Sequence, residues 1–218
     1  MHRLLTAIFF QVLSITAYSQ HELGIEQYSY LGLGQLNSLV PVAHYKTNSN
    51  WYAEARYNYD EVNTFSLYAG RTFSGERNMS YAITPMIGGM AGQSRGGSLA
   101  LNTEFDFRGF NFSSQSQYSV NADSRLNNYF FSWSELSYQP LDWLYAGVSM
   151  QNTQVYRTAS LTEPGLLIGL TYKQWNIPVY SFNPFANARY FVVGINWEFS
   201  YNRPVNKRPS PVIVQSTN

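Results

Sequence analysis

Between Trp51 and Tyr201 the chain repeats one pattern, in segments of about ten residues where apolar or aromatic side chains alternate with small or polar ones. The clearest segment is residues 51–60. Its odd-numbered residues are apolar or aromatic (Trp51, Ala53, Ala55, Tyr57 and Tyr59), and its even-numbered residues from position 54 are polar or charged (Glu54, Arg56, Asn58 and Asp60). Side chains two residues apart lie on the same face of a strand, so this pattern predicts strands whose two faces meet different surroundings. Repeated strands of this length are typical of a transmembrane β-barrel.

Turn signals divide the chain into twelve candidate strands, at residues 25–34, 39–47, 51–60, 63–73, 79–91, 97–108, 110–120, 128–139, 142–153, 163–174, 177–183 and 189–201. Tight connections at 47–50, 74–78, 108–109, 139–142 and 174–176 contrast with looser ones at 92–97 and 155–162. Short turns of outer-membrane barrels face the periplasm, and twelve strands place every tight turn on that side. Ten strands are the alternative, because 24–34 and 177–183 carry the weakest patterns.

The alternation also assigns an outward, lipid-facing set: Phe65, Leu67, Ala69, Tyr81, Ile83, Ile87, Leu99, Leu101, Phe105, Phe107, Leu144, Ala146, Val148, Met150, Leu166, Ile168, Leu170, Tyr172, Phe191, Val193, Ile195, Trp197 and Phe199. Aromatic residues near the strand ends are expected to form girdles at the two membrane interfaces: Trp51, Tyr172, Trp197, Phe199 and Tyr201 on the periplasmic side, and Tyr57, Tyr59, Tyr129, Phe131 and Trp133 on the other. The apolar face of a soluble β-sandwich is the alternative explanation. It is disfavoured because the opposite faces carry few charges.

A few residues interrupt the pattern. Pro41, Pro85 and Pro178 lie inside candidate strands and lack an N–H, so we expect bulges or strand ends there. The strand at 128–139 changes phase, which predicts a bulge near Ser134. Arg71 falls on the lipid face close to the periplasmic end, where its long stem can carry the guanidinium to the interface.

Charged residues of both signs fall on the inward face, and they are the candidate lumen-lining residues: Glu54, Arg56, Asp60, Glu104, Asp106, Arg108, Lys173 and Glu198. They would either select a polar solute or act as paired struts that fill a narrow lumen. The strut interpretation is favoured, because inward Tyr52, Tyr68, Tyr145 and Tyr190 would narrow a twelve-stranded bore further.

Composition supports a membrane protein of this kind. The chain is 17% aromatic and only 12% charged, against about 25% charged in an average soluble domain. Its net charge of +1 and the absence of a basic stripe argue against a nucleic-acid partner. The absence of Cys is compatible with export but decides little.

Three regions follow from these patterns. Residues 1–19 are expected to be a cleaved signal peptide, with a basic start, an apolar run and small residues before the cut. Residues 20–201 form the single barrel domain. Residues 202–218 are rich in proline and basic residues, and we expect an extended, solvated periplasmic tail.

Catalytic chemistry has little support in the sequence. His44 is the one histidine inside the candidate barrel, and with a serine on a neighbouring strand it could serve a membrane-embedded lipid hydrolase. Its alternative role is an ordinary polar residue of the lumen. The glycine-rich segment 88–97 lacks the ending of a phosphate loop and is most simply a surface loop. No ligand spacing for a metal and no motif for a cofactor are present.

As a whole, residues 20–201 resemble the small outer-membrane β-barrel proteins of Gram-negative bacteria. The resemblance implies an all-β, antiparallel up-and-down barrel in contact with outer-membrane lipid, assembled by the barrel assembly machinery, with any further envelope partner left open. Such barrels commonly end on an aromatic residue, whereas here Tyr201 is followed by the tail. A structural or interaction role is the expected function, with a narrow channel for small polar solutes as the alternative and a lipid hydrolase third.

Overall fold

Thirteen β-strands account for most of residues 21–32 and 39–200, the part of the chain that our computed structural model describes. In chain order they are β1 (Glu22–Gly32), β2 (Leu39–Lys46), β3 (Trp51–Tyr57), β4 (Thr64–Arg71), β5 (Phe73–Glu76), β6 (Ser80–Gly92), β7 (Gly96–Phe107), β8 (Phe110–Asn121), β9 (Tyr129–Leu141), β10 (Leu144–Val155), β11 (Leu161–Tyr172), β12 (Trp175–Phe182) and β13 (Tyr190–Ser200). The predicted signal peptide and tail lie outside the described residues and stay predictions.

The strands form one closed antiparallel barrel. Neighbours in sequence pair with each other except β4 and β5, which both pair with β6, and the pairing of β1 with β13 closes the barrel. Because β4 and β5 are two parts of one strand separated at Thr72, the barrel has twelve strands around its circumference. The prediction of a twelve-stranded up-and-down barrel is confirmed, and the ten-strand alternative is wrong.

Short turns gather at one end of the barrel, together with the start of β1 and the end of β13; we call this the turn end. The connection between β7 and β8 is two residues, Arg108 and Gly109, both with positive φ (47° and 85°). Such a turn matches the twist of the strands that it joins. At the opposite, loop end the connections are mostly longer, and one contains a 3₁₀ turn at Arg125–Asn127.

No helix among the described residues has the length and apolar character needed to cross a membrane.

The prolines interrupt hydrogen-bonded pairing without shifting its register. Gly70 pairs with Met86 and Phe73 with Ile83 in the same register, while Arg71 and Thr72, opposite Pro85 and Thr84, form no ladder pair with β6. Pro178 leaves a similar gap between β12 and β13, and the β2–β3 ladder ends just before Pro41. The expected bulges are therefore wrong, and none of the three prolines ends its own strand. The ladder gaps follow from the missing N–H of proline.

The predicted bulge near Ser134 is also wrong. The β8–β9 register is continuous from Tyr129 to Tyr138. The irregularity lies between β9 and β10 instead, where Leu144 pairs with Leu141 and Ala146 with Tyr138, which leaves one extra residue on β9 near its end. Odd-numbered residues of β9 face inward from Tyr129 to Gln139, so the apparent change of phase near Ser134 is a change in residue type rather than in backbone geometry.

The outer surface of the barrel is an apolar band. Large side chains on it are strongly exposed, including Leu67 at 56%, Ile87 at 66% and Leu99 at 63%. Exposed apolar area on this scale requires an apolar covering. Arg71 lies at the turn end with its guanidinium 6.0 Å from the Trp51 ring, as its long stem permits.

Candidate functional site in the barrel interior

The interior of the barrel is polar and is filled by side chains over much of its length. Glu54 and Arg56 of β3 and Asp60, which follows it, are each only 2% exposed. Arg56 donates from Nε to a Glu54 oxygen, and the Tyr52 hydroxyl donates to the other Glu54 oxygen at 2.5 Å. The Arg56 guanidinium lies 4.1 Å from the Tyr59 ring centroid and 4.2 Å from that of Tyr68. The buried Arg56 cation thus has a carboxylate partner at Nε and two aromatic rings in cation–π contact.

Gln117 of β8 connects this ion pair to Asp60. Its Oε1 accepts from Arg56 Nη1 at 2.8 Å, and its Nε2 donates to Asp60 Oδ1 at 2.6 Å. Asp60 also accepts from the Tyr68 and Tyr129 hydroxyls, at 3.1 Å and 3.2 Å, and from Ser66. We call Glu54, Arg56, Asp60 and Gln117 the polar plug. It holds β3 and β8 together across the lumen, because three strands separate them around the barrel.

An aromatic cluster fills the other side of the lumen. The Trp133 ring meets those of Tyr180 and Phe182 edge-on, with centroids 5.2 Å apart in both pairs. Trp133 and Tyr180 are 0% exposed. Side chains of β9 and β12 therefore pack against each other through the barrel interior rather than toward lipid.

Four of the predicted girdle residues are therefore wrong: Tyr59, Tyr129, Phe131 and Trp133 lie in the interior. Aromatic side chains occur both in a filled lumen and at a membrane interface, and the hydropathy of a residue does not tell which of these two locations it occupies. The alternation along the strand could have identified them as inward-facing, because Trp133 lies on the same face of β9 as the polar Glu135 and Ser137.

The other predicted girdle residues lie on the outer surface or at its edge. Trp51 is 59% exposed and Tyr172 70%, and Tyr57 is also exposed. Trp197 and Phe199 are half-buried and stack on each other with centroids 6.0 Å apart. Tyr201 lies outside the described residues.

An acidic cavity of about 450 Å³ occupies the turn end of the lumen. Five carboxylates and two basic side chains line it: Glu22, Glu76, Glu104, Asp106 and Glu198, with Lys46 and Arg108. A smaller cavity of about 110 Å³ continues inward and shares Glu22, Lys46, Glu104 and Glu198 with the first. It is otherwise lined largely by neutral polar residues, including Thr84, Asn102 and Ser113.

The remaining predicted lumen charges divide between this cavity and the outside. Glu104, Asp106 and Glu198 line the cavity from strand positions, and Arg108 lines it from the β7–β8 turn. The prediction that Lys173 lines the lumen is wrong. Lys173 lies exposed in the β11–β12 turn, with its ammonium 5.3 Å from the centroid of the Tyr172 ring. The turn begins at Lys173, which has a φ of 55°, so the strand alternation no longer sets its direction.

Sequence reasoning also missed the interior pair of Glu26 and His44, whose Oε1 and Nδ1 atoms are 3.1 Å apart. Within residues 21–32 and 39–200, no group of three or more His, Asp or Glu side chains is arranged to hold a metal ion.

A closed barrel with an apolar exterior and a polar interior spans a membrane, and such barrels are the architecture of bacterial outer membranes. The protein is therefore an outer-membrane β-barrel.

Comparison with known proteins agrees with this class. No protein-family model matches the chain, and no curated protein matches it. Among solved structures, the KdgM porin matches with a TM-score of 0.58 at 10% identity, over 82% of this chain and 99% of that chain. A second KdgM structure, in complex with disordered oligogalacturonate, gives a TM-score of 0.59 at 10% identity over the same shares of both chains. The NanC porin gives 0.53 at 10% identity, over 83% of this chain and 100% of that chain. At these identities the likeness is one of fold.

Proposed function

We propose that the protein is a narrow outer-membrane channel for small polar solutes with a preference for cations, closed in the present structure by the polar plug and the aromatic cluster. The observation that carries the proposal is the acidic cavity, which opens at the turn end and narrows toward the plug. A porin-like fold supports a channel in general terms.

The charge of the cavity sets the preferred solute. Five carboxylates against two basic groups give an excess of negative charge within a low-dielectric wall. Such a wall concentrates cations and repels anions. Oligogalacturonate, the ligand in the second KdgM structure, is a polyanion, and this cavity does not favour it.

Closure rests on contacts that would have to break for conduction. Hydrogen bonds from Gln117 of β8 to Arg56 of β3 and to Asp60 join the two sides of the plug, and Arg56 forms its ion pair with Glu54 within β3. Water could replace all of these contacts. The Trp133 cluster has less polar surface to exchange for water. We infer that a conducting path would open at the plug, between β3 and β8.

A non-conducting structural barrel is the second candidate. It is favoured by the complete burial of Trp133 and Tyr180 and the near-complete burial of Arg56, which act as struts across the lumen. In that case the cavity would be a closed vestibule, and the outer surface or the loops would carry any interaction with an envelope partner.

A lipid hydrolase is disfavoured, and we propose a non-enzymatic function. His44 faces the interior and pairs with Glu26, away from the lipid-covered surface where an acyl ester would lie.

Single-channel conductance in planar bilayers tests the proposal. We expect the wild type to show a small cation-selective conductance and Arg56→Ala to raise it several-fold, because that substitution removes the centre of the plug. Glu104→Gln should lower the preference for cations. Arg95→Ala is the matched control, since Arg95 pairs with Asp123 at the exposed loop end.

Folding of every variant is checked first by its heat-dependent mobility in detergent gels. If folded wild type and folded Arg56→Ala both fail to conduct, the channel proposal is overturned and the structural barrel stands in its place.

A further inference from the structure

The acidic cavity holds two carboxylates of β7 side by side. Glu104 and Asp106 both line it. They are two residues apart, so they share a face of the strand at a spacing of about 7 Å. Asn111 of β8 is 2% exposed, and its Nδ2 donates to Asp106 Oδ1 at 2.9 Å and to Glu104 Oε1 at 3.3 Å. A neutral amide therefore orients both carboxylates without neutralising their charge.

The two basic residues of the cavity lining do not offset its negative charge. Lys46 forms an ion pair with Glu22. The Arg108 guanidinium lies 5.1 Å from the centroid of the Phe107 ring, which is 44% exposed on the outer surface. The lining as a whole thus keeps an excess of negative charge, which favours a cationic ligand.

The smaller cavity, at the inner end, presents two oxygen atoms that have no hydrogen-bond partner among the described residues. One is the hydroxyl of Ser113, which is 4% exposed and lies directly across from Glu104 in the β7–β8 ladder. The other is the buried Oδ1 of Asn102. His44, which also lines this cavity, pairs with Glu26. Because a buried oxygen without a donor costs free energy, these two atoms favour a ligand that donates hydrogen bonds.

The shape of the site favours an elongated ligand over a metal ion. The two carboxylates lie side by side along β7, and within residues 21–32 and 39–200 no group of His, Asp or Glu side chains is arranged to hold a metal. A primary ammonium group carries one positive charge and only donors. In an extended four-carbon diamine the two ammonium groups are separated by about the spacing of Glu104 and Asp106.

We propose that the acidic cavity binds a linear aliphatic diamine of the putrescine type. Its inner ammonium donates to Glu104, Ser113 and Asn102, and its outer ammonium pairs with Asp106. This inference rests on the proposed function in one respect, since the same cavity must admit cations from the turn end. It does not require the polar plug to open.

Calorimetric titration of putrescine into the refolded protein in detergent, at constant ionic strength, tests the site. We expect saturable binding of one putrescine per barrel. Butylamine, which has the same chain and a single ammonium, should bind about tenfold more weakly or worse. Asp106→Asn should weaken putrescine by about tenfold and leave butylamine nearly unchanged, whereas Ser113→Ala should weaken both amines several-fold.

Asp123→Asn is the matched control, because it makes the same chemical change at the exposed loop end; it should leave both affinities unchanged. Absence of saturable putrescine binding to folded wild type would overturn the proposal. Equal affinities of the wild type for putrescine and butylamine would overturn it too, and neither result depends on the folding of a variant.

Conductance of the same preparation separates this inference from the proposed function. A folded barrel that binds putrescine but never conducts keeps the diamine site and rejects the channel. A folded barrel that conducts cations but does not bind putrescine rejects the diamine site alone.

Discussion

Gln117 accepts a hydrogen bond from Arg56 at 2.8 Å although the two residues are 61 positions apart in the chain. The same amide donates to Asp60, so one neutral side chain satisfies a buried cation and a buried anion together. This relationship makes the polar plug a single cooperative unit rather than a set of independent pairs.

Gln117→Ala is expected to destabilise the barrel by about 1–3 kcal/mol. The substitution removes the hydrogen bonds that Gln117 forms with Arg56 Nη1 and with Asp60 Oδ1 inside the lumen. Denaturant unfolding of the refolded protein in lipid vesicles measures this. Gln154→Ala is the control, since Gln154 is exposed at the end of β10; it should change stability by less than about 0.5 kcal/mol. Equal effects of the two substitutions would contradict a stabilising role for the bridge.

Gly169→Ala is expected to cost about 1–3 kcal/mol through overpacking. The Tyr145 ring lies over Gly169 of β11, and its hydroxyl donates to Asn176 of β12 at 2.7 Å. A Cβ at Gly169 would come within 2.0 Å of that ring. Gly97→Ala is the control, because the nearest atom to its Cβ is 3.7 Å away. Unfolding midpoints in denaturant compare the two, and a well-tolerated alanine at Gly169 would show that Tyr145 lies elsewhere.

Leu166→Arg is expected to destabilise the barrel in vesicles by about 2–4 kcal/mol, as a charge does near the middle of the lipid-facing band. Leu166 is outward on β11 and 47% exposed. The same change at Leu126, 63% exposed in a loop-end connection, should be nearly neutral. Tolerance of arginine at both positions in folded protein would contradict lipid contact at Leu166.

The strands were largely predictable because alternation and turn chemistry are local properties. Lipid outside and polar packing inside impose a period of two on every strand, and left-handed turn residues such as Gly109 mark where it stops. The predicted and observed strands therefore differ by only a few residues at each end.

The contents of the lumen were less predictable, since they depend on contacts between distant strands. Nothing local to Arg56 identifies Gln117 as its partner, and an aromatic residue such as Trp133 fits either face of the wall.

The interruption at Thr72 has a consequence for how the barrel opens. Opposite Pro85 the ladder between β4–β5 and β6 lacks two pairs, and a contact between the Thr72 and Thr84 hydroxyls at 2.9 Å bridges the gap from the inside. Backbone amides along this seam should exchange with solvent deuterium sooner than those of the uninterrupted β7–β8 ladder. The closed ring thus has two seams where its hydrogen-bonded circumference is weakest: this one, close to the turn end and beside the acidic cavity, and the similar gap at Pro178 between β12 and β13.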